Sequence, residues 1–216
     1  MTFTRFTIVF LAGVAIALAG CSTTEPVPDV PKPRNGIVEY QKLATDAQKS
    51  LQAALKALGR VAAETNRISA TASRTFSDKV GRLEAESVQV RARSKAMEAR
   101  GNAYFQNWEE NLGRTKDPRV GELAREHHAA LEESFAKIKL ASQEARQAFQ
   151  PFLAGLHKLQ IALENDPGTL VSESTRELVR STSEAGRQVE SCLARIQDEL
   201  KHMTAMLTPS KSNSKN

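Results

Sequence analysis

Apolar residues recur at intervals of three and four from residue 37 to residue 207, which is the spacing of one face of an α-helix. The most regular stretch, Val80 to Trp108, covers about four heptads, the repeat of helices that pack along a common seam. Three positions of that seam hold small residues, namely Ser87, Ser94 and Gly101. Small residues at a seam let a neighbouring helix approach closely or receive a large side chain from it.

A second long seam begins at Val120 and Leu123, passes through His127 and continues to Leu163. Pro151 lies inside this segment. Because a proline ring removes one backbone hydrogen bond and crowds the preceding turn, Pro151 predicts a kink rather than the end of the helix.

Cap and turn signals divide the pattern into segments. Asp117-Pro118 is typical of a helix N-cap followed by proline in the first turn, and residues 165–168 form a strong turn signal. Ser174 and Glu177 have the spacing of a capping box for the last helix. Residues 65–77 are weakly apolar, and the sequence leaves open whether the chain bends there or continues as helix.

Four helical segments of this length exceed the mean helix of about 11–12 residues by a wide margin. Long heptad helices joined by short turns pack antiparallel. The sequence therefore predicts an all-α fold, an elongated antiparallel helical bundle or coiled coil of three to four long helices.

The amino-acid composition agrees with long helices, and the distribution of charge bears on whether the protein binds nucleic acid. Aromatic residues make up only 5% of the chain, and the formal charge of +5 arises from positive and negative residues that interleave along it. Clustered basic residues on one face would indicate nucleic-acid binding, and this pattern does not, so no nucleic-acid partner is expected.

The first twenty residues have the layout of a secretory signal peptide: Arg5, an apolar run ending at Leu18, and small residues before Cys21. Leu18-Ala19-Gly20-Cys21 resembles the lipobox of bacterial lipoproteins. The resemblance implies that Cys21 is the lipidation site, acylated after cleavage before it, and that this anchor attaches the protein to a membrane. Ser22, by the same resemblance, points to the periplasmic face of the outer membrane, or to the cell membrane if the source has no outer membrane.

Four prolines between residues 26 and 33 block helix formation and favour an extended spacer. The predicted organisation is a signal peptide at 1–20, a lipidated proline-rich linker at 21–36, a helical bundle at 37–207 and a disordered tail at 208–216. With Cys21 lipidated, Cys192 is the remaining cysteine, and its place beside a helix seam predicts a buried thiol.

A cluster of aromatic and acidic residues, Tyr104-Phe105-x-x-Trp108-Glu109-Glu110, resembles one found in an uncharacterised bacterial family. Phe149-Gln150-Pro151-Phe152-Leu153 and the amphipathic helix at the end of the chain fit the same family. The resemblance covers roughly residues 37–205. Its members are helical, often exported and known only as a domain of unknown function, so it implies a fold and no site.

Candidate chemistry is sparse. Glu199-x-x-His202 is half of the di-iron pattern of helical bundles, and no second pair accompanies it. His128 and Glu132, four residues apart, can supply two metal ligands, but the sequence shows no third. We therefore expect no catalytic residue, metal or cofactor, and Trp108 is interpreted as a packing residue.

Three classes of function remain open. The leading hypothesis is a non-catalytic scaffold or adaptor that binds another envelope protein or self-associates, and it would be favoured by a filled core with an exposed apolar stripe. The alternative is a ligand- or cell-wall-binding lipoprotein, favoured by a concave pocket lined with convergent polar groups. A metal-dependent bundle enzyme ranks last.

Overall fold

A computed structural model of the protein describes residues 33–64, 68–114, 116–165 and 172–208. All of them belong to one compact unit, Lys32–Asn216. They form four helices and, within these ranges, no strand: α1, Pro33–Ala63; α2, Ala70–Leu112; α3, Pro118–Asn165; and α4, Glu173–Met206. The predicted all-α bundle of long helices is confirmed.

Side-chain contacts show that neighbouring helices run antiparallel. Along α1 and α4, Gln41 contacts Thr204, while Gln52, further along α1, donates a hydrogen bond of 2.6 Å to Glu190, which lies earlier in α4. α2 and α3 are related in the same way, with Lys139 reaching Asn102 and His157 reaching Glu84. Each helix packs against the next one in the chain and α4 packs back against α1, which is an up-down-up-down four-helix bundle.

The core extends along the bundle between the four helices. Its fully buried side chains are apolar and come from every helix, as the heptad pattern predicts. The largest of them are Leu51, Leu58, Phe76, Leu131, Ile138, Phe152, Leu156, Leu159 and Leu200. α3 contains 48 residues, which corresponds to a length of about 70 Å, and it continues through Pro151 without ending, as predicted.

The helix is interrupted between α1 and α2. Of the two possibilities that the sequence left open for residues 65–77, a bend or a continuous helix, the continuous helix does not form. α1 ends at Ala63, and α2 begins after Ser69, whose side-chain oxygen accepts a hydrogen bond of 3.2 Å from the amide of Ala72. A serine in this position satisfies one of the free amides of the first helical turn. Residues 65–67 lie outside the described residues.

Two of the predicted helix starts can be compared with the structure. Asp117 caps α3 as predicted, because its Oδ1 accepts hydrogen bonds from the amides of Arg119 at 2.9 Å and Val120 at 3.4 Å. The predicted capping box at Ser174 and Glu177 is wrong.

Ser172 caps α4, two residues earlier than the capping box predicted, by accepting a hydrogen bond of 3.3 Å from the amide of Thr175. Glu177 is instead bound to Arg180, one turn further along the helix, at 2.9 Å. The carboxylate satisfies a guanidinium on the helix surface and does not turn back to the cap.

α1 begins at Pro33, four residues before the predicted start of the bundle domain at residue 37. Proline is tolerated in the first turn of a helix, where its missing amide hydrogen has no partner to lose. The last part of the predicted linker is therefore helical. The predicted signal peptide, Cys21, residues 21–32 of the linker and residues 209–216 of the tail lie outside the described residues.

The seam predicted for the start of α3 is wrong by one position. Val120 and Leu123 are 54% and 67% exposed, whereas Gly121 and His128 are buried. The buried face is turned here because His128 packs under both Phe105 and Trp108 of α2, with ring centroids 5.4 and 5.2 Å away. The ring of His127 also lies beside Trp108, at 5.6 Å, but His127 is only half-buried. From Leu131 onward the predicted and observed faces agree.

Candidate functional site

A cavity of about 340 Å³ lies between the four helices, in the middle part of the bundle. Its walls are formed mainly by apolar side chains from all four helices. The large ones among them are Leu51, Leu83, Val90, Phe149, Leu193 and Ile196. An apolar cavity of this size lies at the lower end of the range for small-molecule sites, about 300–1,000 Å³.

Three hydroxyl groups meet at the cavity wall. The phenol oxygen of Tyr40 lies 3.2 Å from Oγ of Ser94 and 3.1 Å from Oγ of Ser142. These residues come from α1, α2 and α3, so one hydrogen-bonded group joins three helices. Each of these hydroxyls can donate or accept a hydrogen bond, so the group can reorient toward a polar atom in the cavity.

Cationic side chains stand at the rim of the cavity. Arg91 and Lys95 of α2 are exposed, and Arg146 of α3 is half-buried. None of these three has an ion pair with a described residue. Glu86, the one carboxylate that lines the cavity, accepts a hydrogen bond from Ser50. The rim therefore carries an excess of positive charge beside an apolar interior.

The local sequence explains why the cavity lies at this level. Ser87 and Ser94 occupy the α2 seam, and the α3 residues at the same level, Ser142 and Ala145, are also small. The Ser87 hydroxyl does not reach across the space, because it bonds to the carbonyl of Glu84 in its own helix at 2.7 Å. Ser94 and Ser142 bond to the phenol of Tyr40 and leave the space between α2 and α3 open. Small residues on both helices leave a space that side chains do not fill.

Gly101, the third small residue of the seam, lies against a large side chain rather than beside a cavity. The ring of Phe135 lies against it so closely that any side chain at residue 101 would overlap the ring. The prediction that a small seam residue receives a large side chain from a partner helix is confirmed at this position. The close packing continues at the aromatic cluster, where Phe105 and Phe135 lie 5.3 Å apart, centroid to centroid.

Trp108 and Cys192 pack against the core as predicted, whereas the core position predicted for His127 is taken by its neighbour His128. Trp108 is half-buried against the core, and Cys192 is a buried free thiol. Burial raises the pKa of Tyr104, whose ring packs edge-on against Trp108. Of the two adjacent histidines, His127 is only half-buried and its Nε2 donates to the carbonyl of Met206 at 3.2 Å, while His128 takes the core position.

Of the two residue pairs that the sequence offers as candidate metal ligands, the structure adds a third ligand to only one within the described residues. Glu199 and His202 belong to no group of metal-ligating side chains within the described part of the chain. His128 and Glu132 do, because α2 places Glu109 beside them, and the ligand atoms of the three residues lie within 4.8 Å of one another. Sequence spacing gives no sign of Glu109, which is 19 residues away and on another helix.

None of the helices within the described ranges is long and apolar enough to cross a membrane. A family profile described as "Protein of unknown function (DUF2959)" matches residues 35–202. The chain belongs to this family. The predicted resemblance to an uncharacterised helical family is thereby confirmed for most of the chain. No curated protein and no solved structure matches this DUF2959 protein.

Proposed function

We propose that this DUF2959 protein is a lipid-anchored, non-catalytic binding protein that holds a small amphipathic ligand in the cavity between its four helices. The ligand has an apolar body and one anionic head group. The observation that supports this proposal is the combination, in one cavity, of apolar walls with rim cations that form no ion pair with a described residue.

The walls favour an apolar body. Burying apolar surface against side chains such as Leu193 and Ile196 contributes about 25 cal/mol for each Å² removed from water. The cavity volume suits one short chain or ring system rather than a polymer. A cell-wall polysaccharide, which is polar throughout, matches these walls poorly.

The rim favours an anionic head. Arg91, Lys95 and Arg146 come from two facing helices, so a carboxylate, sulfate or phosphate at the mouth can contact cations on both sides. An arginine can bind such a group through two parallel hydrogen bonds, which are stronger than bonds between neutral groups. The hydroxyl group of Tyr40 offers a second polar contact inside the cavity.

We propose binding rather than catalysis because of the chemistry that the cavity offers. Its polar groups are hydroxyls and cations, and its carboxylate, Glu86, is at the exposed rim and bonded to Ser50. These groups hold an anion in place, but they lack an arrangement of nucleophile, base and orienting residue around one point in the cavity.

Calorimetric titration tests the ligand class. We expect the purified full chain to bind decanoate at one equivalent. It should bind nonyltrimethylammonium, which has the same alkyl tail and a cationic head, at least about tenfold more weakly. Arg146→Gln should weaken decanoate binding and leave the weak binding of the cationic probe unchanged or stronger. Arg93→Gln, at an exposed arginine of α2 outside the cavity, is the matched control.

Equal binding of the two probes would overturn the anionic head group. Absence of binding by both probes would overturn the cavity as a site for small amphipathic ligands. Equal losses in Arg146→Gln and Arg93→Gln would show a general effect of charge and would contradict a specific rim contact.

The anchor is the second part of the proposal. The lipobox-like Leu18-Ala19-Gly20-Cys21 supports acylation of Cys21 and attachment to a membrane, with Ser22 favouring the outer membrane. Multiple acyl chains hold a protein durably, at about 0.8 kcal/mol for each buried CH₂. Cys21→Ser should leave the precursor uncut or the protein soluble. Mass spectrometry that finds a mature N-terminus with unmodified Cys21 would contradict this.

The scaffold hypothesis stays a prediction. The large apolar side chains that are exposed lie on three helices rather than along one stripe: Val38 on α1, Val88 on α2, and Val120, Leu123, Leu140 and Ile161 on α3. Binding of an envelope protein, or of a second copy, by one apolar helix face therefore has less support than binding in the cavity.

A further inference from the structure

We propose that Glu109, His128 and Glu132 form a binding site for a divalent transition-metal ion, Zn²⁺ in the first place. The site joins the end of α2 to the first turns of α3. It is separate from the cavity: along α3, His128 precedes Ser142 by 14 residues, or about 20 Å of helix.

The imidazole of His128 is the central ligand. Its side chain is only 8% exposed, and its Nε2 lies 3.4 Å from the carbonyl oxygen of Phe105. A carbonyl can only accept, so in the neutral imidazole Nε2 carries the hydrogen and Nδ1 carries the lone pair. A histidine that binds a metal through one nitrogen commonly donates its other N–H to a backbone carbonyl in this way, which fixes the orientation of the ring.

Nδ1 of His128 points at carboxylates without reaching them. The nearest carboxylate oxygen, Oε2 of Glu132, lies 3.8 Å away, beyond hydrogen-bond distance. Two ligand atoms of a tetrahedral zinc site are about 3.4 Å apart, given Zn–N and Zn–O distances of about 2.0–2.2 Å. An ion between Nδ1 and the carboxylate therefore fits with a small movement of an exposed side chain.

Glu109 supplies the third ligand from a different helix. Its carboxylate lies within 4.8 Å of the ligand atoms of both His128 and Glu132. Two carboxylates this close repel each other, and among the described residues no lysine or arginine forms an ion pair with either of them. A divalent cation removes this repulsion and binds both.

The donor set favours a first-row transition metal over Mg²⁺ or Ca²⁺. An imidazole nitrogen suits Zn²⁺, Cu²⁺ or Ni²⁺, whereas Mg²⁺ and Ca²⁺ prefer oxygen ligands alone. Three protein ligands leave a fourth position of a tetrahedral ion for water. Because the two carboxylates are exposed, the ion can enter from solvent without opening the bundle.

Trp108 makes the site directly observable. It is the one tryptophan of the chain, and its ring centroid lies 5.2 Å from that of His128. Co²⁺ at Nδ1 of His128 is close enough to quench its fluorescence, and Zn²⁺ added afterwards should displace Co²⁺ and restore the signal. The full chain, freed of metal by a chelator, should bind Zn²⁺ at one equivalent in calorimetric titration.

Three variants at exposed glutamates test the assignment. Glu109→Gln and Glu132→Gln should each weaken Zn²⁺ binding by about tenfold or more and reduce the Co²⁺ quenching, while circular dichroism stays unchanged. Glu110→Gln, next to Glu109 and outside the group of three, should bind Zn²⁺ as the parent does. That pattern would establish the site.

The absence of Zn²⁺ binding would overturn the proposal, and so would binding that is equally strong in the two site variants. Loss in only one of Glu109→Gln and Glu132→Gln would overturn the three-residue site. Loss in Glu110→Gln as well would show that the effect comes from surface charge and not from coordination.

Discussion

The seam of α2 carries small residues at two levels of the bundle, and the neighbouring helix treats the two levels differently. At Gly101, α3 supplies the ring of Phe135, which fills the space that the glycine leaves. Around Ser87 and Ser94, α3 supplies the small residues Ser142 and Ala145 beside Phe149, and the cavity opens between the helices. A small seam residue therefore closes an interface only where the partner helix places a large side chain opposite it.

The largest effect should come from truncating a buried ring outside the cavity. Phe152 is fully buried, and its ring lies against Gly186 of α4. Phe152→Ala should lower the free energy of unfolding by about 3–5 kcal/mol. Phe149→Ala, at a half-buried ring that lines the cavity, should lower it by clearly less. Chemical denaturation followed by circular dichroism compares the two, and equal losses would contradict a difference in packing.

The next largest effect on stability should come from adding a side chain at Gly101, the closed level of the seam, where Phe135 already fills the space. A side chain at residue 101 would overlap Phe135, so Gly101→Val should lower the free energy of unfolding by about 1–3 kcal/mol. Gly81→Val is the matched control, because nothing lies near the side chain that it would add. Since valine is a better helix former than glycine, the control should be neutral or slightly stabilising in the same denaturation experiment. Equal destabilisation by both would show that the closed level has room.

Enlarging a side chain at the open level of the seam, where Ser87 and Ser94 line the cavity, should change the free energy of unfolding in the opposite direction. Ser87→Leu adds apolar volume beside the cavity, where it should raise the free energy of unfolding by about 1 kcal/mol or leave it unchanged. The backbone carbonyl that Ser87 contacts keeps its helical hydrogen bond. Thermal melting compares this variant with Gly101→Val, and a similar loss in both would mean that Ser87 faces packed protein.

The smallest effect concerns ionisation at the closed level. Burial raises the pKa of Tyr104, so its phenol should stay neutral above pH about 10, where free tyrosine ionises. The contribution of this group to stability is present below the unfolded pKa and is lost as pH rises through the folded one. Near-ultraviolet titration of Tyr40→Phe, which leaves Tyr104 as the one tyrosine, measures it. A pKa equal to that of free tyrosine would contradict burial of the phenol.

Much of the fold could be predicted because local patterns determine it. The helical periodicity, the place of Gly101 on the α2 seam and the N-cap at Asp117 depend on residues close together in the chain. The buried face predicted for the start of α3 is wrong because the burial of Val120 and Leu123 depends on which face α2 covers. The aromatic side chains of α2 contact His128 and so cover a different face. Periodicity alone does not contain that information.

The candidate sites depend on distant residues and were harder to foresee. The sequence marked Ser87 and Ser94 as small, but the cavity also requires small residues on α3 at the same level. His128 and Glu132 were visible as a pair one helical turn apart, and Glu109 completes the group only because α2 and α3 are antiparallel with a particular offset. Such an offset is set by the packing of whole helices.

The central claim is that the open level of the α2 seam is a ligand site, and ligand-dependent melting of the parent chain and Ser87→Leu tests it most directly. A ligand that binds only the folded state raises the melting temperature as its concentration increases. We expect decanoate to raise the melting temperature of the parent chain progressively and to have little effect on Ser87→Leu, whose added side chain occupies the cavity. Equal shifts in both proteins, or no shift in the parent chain, would contradict the claim.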